Sequence, residues 1–578
     1  MSTIWFRFWL RGVGLVLLLA ATTLAAAEDV LRVVPDKALG AVVVNRIGET
    51  NEKIQAFAQR LNAPPFDLFG TAKQMVGAQE GVDDEGSLAL AAVPSATHGA
   101  PVTVAFVPVS DYAALIQQWN AQVGDDGIAR LTVADRPLVA AAKNGYAVAV
   151  EEVDKPTLQA VIADDNSIAD AAPTLTAWAD ATDAFAVTTP AGVKFAQQQI
   201  RVGLQMAKAQ LATLGEEGEA ALAGMQMYDV LIAAMDDEVS HAAVGLKIAD
   251  DGAVYVVSRT IPVAGGRLAA FAAEGRPRRV SPLAGLPQSA YFIAGGGTLS
   301  AASMKSWHEA SLAMMRSYPG WDELSDRQIN RISRISLRSM QGVRSMGLML
   351  GISQDDEPLY SRMLMAINTK DAEAYLDNYQ AAMDEMAKVF QDAEAPLMLF
   401  DLERIEMDGL SVLRLAMDMK SFLPPGQVAE TEQFMESMFG SSSINMYLAA
   451  ADQSTVIAAY VSPAQLVEAV QAIREGKPSL IDDAGVAQTV AMLPPDAQWL
   501  GLFSPRGWAA FMSRMFETIA PPGAPGIPEI PEFPETPPVG LGVLLTPSGL
   551  DTVLAVPAAV IDAASEMVQE AIAEQGRL

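Results

Sequence analysis

The chain has 578 residues, 51% of them hydrophobic, with 69 acidic against 39 basic side chains and a formal net charge of −30. A field of that sign repels phosphate backbones, whose binding needs clustered Lys and Arg to release counterions, so nucleic acid is excluded as a partner class. The lack of any cysteine excludes disulfides, thiolate metal sites and thiol nucleophiles, and leaves stability to burial.

Residues 1–27 read as a signal peptide. Arg7 and Arg11 supply a positive start, 13–24 an apolar core, and Ala25-Ala26-Ala27 small residues at a cut before Glu28. The apolar stretch is shorter than the ~20 residues of a comfortable transmembrane helix. The expected mature chain is exported to the periplasm, envelope or exterior, with no integral membrane span after cleavage.

Beyond the cut, short apolar runs bounded by Gly, Pro or charge predict strands at 39–44, 87–93, 102–107 and 146–150. Apolar residues three and four apart predict helices at 49–61, 113–119, 193–211, 372–390 and 464–474. Asn144-Gly145, Asp251-Gly252 and Asp408-Gly409 are hairpin signals, because both residue types tolerate positive φ, and hairpins imply antiparallel pairing. Thr189-Pro190 and Ser504-Pro505 read as a hydroxyl N-cap followed by Pro at the first helical position, a requirement of the fold rather than a serine nucleophile.

Five landmarks recur in order, about 250 to 315 residues apart. Pro35-Asp36-Lys37-Ala38 answers Pro287-Gln288-Ser289-Ala290, each opening an apolar run, and the turn before Tyr112 answers the turn before Ala372. The strand at 146–150 with Leu158 beyond it answers 455–459 with Leu466 beyond it. Thr189 to Gly192 answers Ser504 to Gly507, and 245–252 answers 542–549. The expected fold is therefore α+β, two tandem related lobes, each a mainly antiparallel sheet with helices packed on it. The first lobe spans 28–264 and the second 287–578, with a linker at 265–286 that carries Arg276-Pro277-Arg278-Arg279 and a Pro-rich loop at 521–538 in the second lobe.

Four constellations carry candidate chemistry. Gly295-Gly296-Gly297-Thr298, read between a strand and a helix, is placed where backbone amides cradle anions, but it lacks a P-loop ending and its counterpart at 45–50 is not glycine-rich. Arg327, Arg331, Arg334 and Arg338, spaced four, three and four, share one helical face and can hold an acidic partner or simply pair with local carboxylates. Methionine is concentrated in the second copy, with 21 of 27, and Met304 with His308 at a spacing of four is a weak Cu(I) candidate against the plainer use of Met as core filler. Only His98, His241 and His308 are present, far apart and in no zinc or triad motif, and each reads as an ordinary surface or core residue.

The run Val34-Pro35-Asp36-Lys37-Ala38-Leu39-Gly40-Ala41-Val42-Val43-Val44-Asn45-Arg46 and the later Gly81-Val82-Asp83-Asp84-Glu85-Gly86-Ser87, behind a signal peptide, resemble large exported proteins of unknown function from planctomycete-type bacteria. The resemblance implies an envelope or secreted location and transfers no catalytic residue. The leading expectation is a non-catalytic exported binding or scaffold protein, without cofactor, whose ligand is an envelope protein, a peptide or a polymer held between the lobes. The alternatives are an extracellular hydrolase with a carboxylate or His-based site and a Met-rich copper-handling protein.

Overall fold

The computed structural model describes residues 30–575 except 65–66, 134–135, 214–236, 276–280, 299, 301–304, 306–307, 309–311, 313–323, 355–356, 393–399, 419–434 and 520–529. The signal segment, the basic connector at 276–279, Met304 and the first half of the Pro-rich loop lie outside the described residues. The chain forms two compact units: unit 1 takes the described residues of Met1–Ala209, Ile232–Ala270 and Ser548–Thr552, and unit 2 those of Gln210–Leu231, Phe271–Pro547 and Val553–Leu578. The segment 265–286 includes a helix, Arg267–Ala273, and the fully buried Leu283 and Leu286.

Unit 1 contains β1 (Gly40–Val44), β2 (Leu88–Pro94), β3 (Pro101–Pro108), β4 (Gln122–Val123), β5 (Ala129–Val133), β6 (Arg136–Lys143), β7 (Tyr146–Glu151), β8 (Ala184–Thr188), β9 (Val239–Ile248) and β10 (Val254–Pro262). All its pairings are antiparallel, in the order β4-β5-β6-β7-β3-β2-β1-β8-β9-β10. Unit 2 contains β11 (Tyr291–Thr298), β12 (Ser345–Gly351), β13 (Met363–Asn368), β14 (Phe400–Met407), β15 (Leu410–Asp418), β16 (Ser443–Ala450), β17 (Thr455–Tyr460), β18 (Trp499–Phe503) and β19 (Val539–Thr546). Its order is β14-β15-β16-β17-β13-β12-β11-β18-β19, again antiparallel, and β20 (Gly549–Val556) follows as the hairpin partner of β19. Adding ten to each strand number of unit 1 reproduces the order in unit 2. The fold is α+β with antiparallel sheets.

The helices fall at matching places. In unit 1, α1 (Ile47–Arg60) and α2 (Leu68–Val76) follow β1, and α3 (Tyr112–Gln118) follows β3. Next come α4 (Lys155–Ala163), α5 (Ile168–Ala171) and α6 (Pro173–Asp180) after β7, α7 (Pro190–Ala212) after β8 and α8 (Arg267–Ala273) after β10. In unit 2, α9 (Asp326–Ser339) follows β11, α10 (Ala372–Asp392) follows β13, α11 (Pro463–Arg474) and α12 (Ala484–Ala491) follow β17, α13 (Pro505–Ile519) follows β18 and α14 (Ala558–Gln575) follows β20.

Local chemistry explains these positions. Asp111 and Asp371 cap α3 and α10 by accepting from the amides of Ala114 and Ala374, each at 3.0 Å. Thr189 and Ser504 accept from Gly192 and Gly507 at 3.3 and 3.0 Å in the first turns of α7 and α13. A Cβ at either glycine would run into the backbone of the first strand, at Leu39 or Tyr291, so glycine is what lets these helices sit so close. Pro35 bridges to Ser167 and Pro287 to Ser479. Asn144-Gly145 and Asp408-Gly409 turn with positive φ at both positions, whereas at Asp251-Gly252 only the glycine does, in a longer connection.

One face of the unit 1 sheet is sealed. On β3 alone, Val102, Val104 and Phe106 point inward and alternate with less buried residues. They join a core with Val43, Val148, Leu158, Ile168 and Leu175, which packs α4, α5 and α6 on the sheet. Burying such a side chain contributes roughly 1.5–3 kcal/mol. In unit 2 the matching face carries Ala294, Met349, Ala366, Ile457 and Leu500, none more than 3% exposed. Its opposite face is only partly covered: Tyr375 and Leu376 of α10 pack over β15–β17 with Leu413, Leu448 and Ala458.

Candidate functional site

Among the described residues, the part of that opposite face left uncovered lies on β11, β18 and β19. Direct pairing puts Gly295 beside Gly501 and Leu348, Gly297 beside Trp499 and Met346, and Gly501 beside Leu541. Paired residues share a face, so Gly295, Gly297 and Gly501 form a floor without side chains, walled by Met346, Leu348 and Met365 on one side and Leu541 and Val543 on the other. The recess measures about 320 Å³. The Trp499 indole closes one end, lying where a Cβ of Gly297 would be and stacked on Phe271 at 5.8 Å. At the other end stand Ile293, 40% exposed, and Phe503.

A second recess of about 410 Å³ continues from Phe503, bounded by Trp508, Met512, Ile530, Phe533 and Met567. Its rim is the extended chain 530–538, pinned by Arg506 to Glu532 and Glu535 at 2.6 and 3.4 Å and by the Thr489 hydroxyl to the Pro538 carbonyl at 2.7 Å. Phe511 stacks on the buried Phe292 and Trp508 packs on it at a tilt, which fixes α13 as one wall.

The glycines are specific to unit 2. Asn45 N–H donates to the Asp183 carbonyl and Thr298 N–H to the Gln498 carbonyl, both at 2.9 Å, so Asn45 corresponds to Thr298. By the same register Val42, Val44 and Ala186 of unit 1 occupy the positions of Gly295, Gly297 and Gly501. This corrects the placement of the run between a strand and a helix: Gly295 to Gly297 are inside a strand, their backbone is paired with β12 and β18, and their counterpart is 42–44 rather than 45–50.

The other predicted residues do not gather at this trench. Arg331 and Arg338 both reach Glu385 on α10, at 3.2 and 2.6 Å, and hold its carboxyl below the usual range, Arg338 contributing most. Arg334 hydrogen bonds to the Asn330 carbonyl at 3.4 Å, and Arg327 is exposed. The opposite side of α9, Ile329, Ile332 and Ile335, packs on Ala382 and Val389. His308 is buried, 2.8 Å from the Ser333 hydroxyl, while its copper partner Met304 lies outside the described residues. His98 pairs with Asp154 at 3.0 Å, and His241, its pKa lowered by burial, contacts Ser240 at 2.8 Å. Among the described residues there is no cluster of three or more His, Cys, Asp or Glu suited to a metal ion.

Sequence reading missed one ionic cluster in unit 1. Asp183, 1% exposed, accepts from the Ile248 amide at 2.6 Å with one oxygen and faces Lys53 at 2.8 Å and Arg46 at 3.7 Å with the other. Glu49 also contacts Lys53 and Arg46, at 2.7 and 3.6 Å. Burial pulls the Lys53 pKa down, but the hydrogen bonds that its ammonium donates to Asp183 and Glu49 and the charge of those carboxylates outweigh it and leave the value raised. The cluster borders a cleft of about 360 Å³ lined also by Glu52, Arg60 and Asp250. Both of its central carboxylates are committed to cations, which makes the cluster a brace for α1 rather than a proton-transfer pair. The equivalent Gln498 repeats the bond to the end of the next strand, accepting from the Leu545 amide at 2.6 Å, without charge.

No helix among the described residues is long and apolar enough to cross a membrane. No family model, curated protein or solved structure matches the chain.

Proposed function

We propose that this chain is an exported, non-catalytic binding protein made of two copies of one α+β unit, and that unit 2 carries the ligand on its open sheet face. The observation that carries the reading is the replacement of Val42, Val44 and Ala186 by Gly295, Gly297 and Gly501 at equivalent positions. Glycine inside a strand costs roughly 0.5–1 kcal/mol relative to alanine, and its recurrence across two neighbouring strands marks a place of close approach. The common strand order and the matched caps support duplication, and duplication makes unit 1 the filled version of the same surface. The basic start, apolar core and Ala25-Ala26-Ala27 support export. A protein, peptide or polymer partner would have to present an apolar segment here.

The test is titration of the purified chain with the apolar fluorophore 1-anilinonaphthalene-8-sulfonate, comparing wild type with Gly501→Leu. Only the Leu541 side chain is near a Cβ at Gly501, the closest atom at 3.3 Å, so the variant fills the trench without displacing backbone. Loss of the saturable signal at unchanged melting temperature is expected. An identical titration for both proteins would refute the site.

A further inference from the structure

We infer that the outer edge of β10 in unit 1 is a strand-accepting surface whose partner is the segment Ser548–Thr552, filled here by this chain's own segment and open to the same segment of a second copy.

Unit 1 is not completed by the first half of the sequence. Its strand order ends at β10, and the remaining edge of β10 is taken by β20, whose residues Gly549–Thr552 belong to unit 1 while Pro547 and Val553 on either side belong to unit 2. Left bare, that edge would offer Val254-Tyr255-Val256-Val257-Ser258, an uncharged run rich in β-branched and aromatic residues with unpaired backbone groups. Such an edge recruits another strand.

Two features make the seat specific. Arg259, the one charged residue of β10, pairs with Ala243 and so lies on the face where α6 packs. Its guanidinium donates from Nε and Nη2 to the two carboxylate oxygens of Asp551 at 2.7 and 2.6 Å, and from Nη1 to the Thr174 carbonyl of α6 at 2.6 Å. The two side chains are only 19% and 16% exposed, and the planar fork that grips a carboxylate with two parallel bonds is a geometry lysine does not offer. Gly549 supplies the second feature. Its φ is 151°, and a Cβ there would stand 2.3 Å from the Thr260 carbonyl oxygen, so both backbone angle and space require glycine. The seat therefore reads a glycine and, two residues later, a carboxylate. The repeated unit does not demand this clamp, since the match of 245–252 with 542–549 puts Val556 where unit 1 has Arg259.

A five-residue segment held at so few points opens more readily than the sheet it closes. An edge that has lost its own segment is satisfied equally by the identical segment of another copy, the exchange that produces domain-swapped dimers.

The experiment uses full-length chains carrying Arg259→Asp or Asp551→Arg. In either variant alone, edge and segment have like charge, within one chain and between identical chains. In a 1:1 mixture each edge meets a segment of opposite charge on the other variant. Tagged Arg259→Asp should capture untagged Asp551→Arg and leave untagged Arg259→Asp in solution. Amide exchange over 254–262 should be about tenfold faster in each variant than in wild type, and slow again in the mixture. The double variant, with the pair reversed inside one chain, should exchange like wild type and capture neither. Equal capture of the two untagged variants would overturn the edge as a partner surface, and unchanged exchange over 254–262 in Asp551→Arg would overturn the seat itself. Asp551→Asn, which removes the charge and keeps the shape, gives that second reading if the reversal does not fold.

Discussion

Replacing Asp183 with Asn isolates the charge in the brace of unit 1. The variant keeps the size of the side chain and an oxygen for the Ile248 amide, the bond that Gln498 makes in unit 2 without charge. What it loses is the counter-charge to Lys53 and Arg46, whose side chains are only 18% and 12% exposed. Stripping one partner from a buried ion pair costs about 3–5 kcal/mol. Here Glu49 remains on both cations and some solvent reaches them, which reduces the expected loss to about 2 kcal/mol. For a unit of this size that is a fall of about 4–8 °C in melting temperature. Calorimetry reads the loss, and hydrogen exchange should place it in α1 and at the β8–β9 end. Adding Lys53→Met should restore part of it, because the uncompensated cation is then gone. Asp183→Asn melting within about 1 °C of wild type would refute the brace and leave Asp183 as a hydrogen-bond acceptor alone.

Gly192→Ala and Gly507→Ala should each destabilise by about 3 kcal/mol, since the added carbon meets strand backbone that cannot move aside; unaltered urea midpoints would count against the close helix seat. Glu357, held by Arg362 at 2.7 and 2.8 Å, has its carboxyl lowered from 4.5 to about 2, mainly by those hydrogen bonds. Its folded pKa lies below the unfolded one, so its contribution is complete above about pH 4.5 and disappears as the pH falls toward 2. With the side chain 27% exposed, the effect is about 2 kcal/mol, and Glu357→Gln should flatten that part of the acid-unfolding curve.

Local chemistry was legible in the chain. The turns that lead into helices before Tyr112 and Ala372, the hydroxyl-Pro starts at Thr189 and Ser504, and the Asn-Gly turn at Asn144 announce themselves within a few residues, and the structure has an element boundary at each. Ladder order was not legible, because β1 lies between β2 and β8 and β3 beside β7, pairings fixed by packing across the whole unit. The ionic brace escaped for the same reason: Lys53 and Asp183 are 130 residues apart. The glycine run was seen and misread. Three consecutive glycines look like a loop to any local rule, and only the strand partners on both sides keep Gly295 to Gly297 extended.

The signal that could have corrected that reading was already in the repetition. Counting back from Thr189 and Ser504, which cap equivalent helices, places Ala186 against Gly501. The register of the next strand then places Val42 and Val44 against Gly295 and Gly297. Positions at which the units agree, such as Gly192 with Gly507 and Leu158 with Leu466, are those at which any side-chain change would disturb the same contact twice. Positions at which they differ are relieved of that constraint. Asp183 against Gln498 changes a charge and keeps the bond, so the difference adds a brace to one unit only. Val42, Val44 and Ala186 against three glycines removes side chains from one face and leaves the ladder intact, a change that weakens the strand and opens a surface. The sheet of unit 1 demonstrates that filled positions are compatible with this strand order; in unit 2 Gly297 makes room for the Trp499 indole and Gly295 lies against the Leu500 carbonyl, which leaves Gly501 as the position whose role is the one proposed, admitting a ligand.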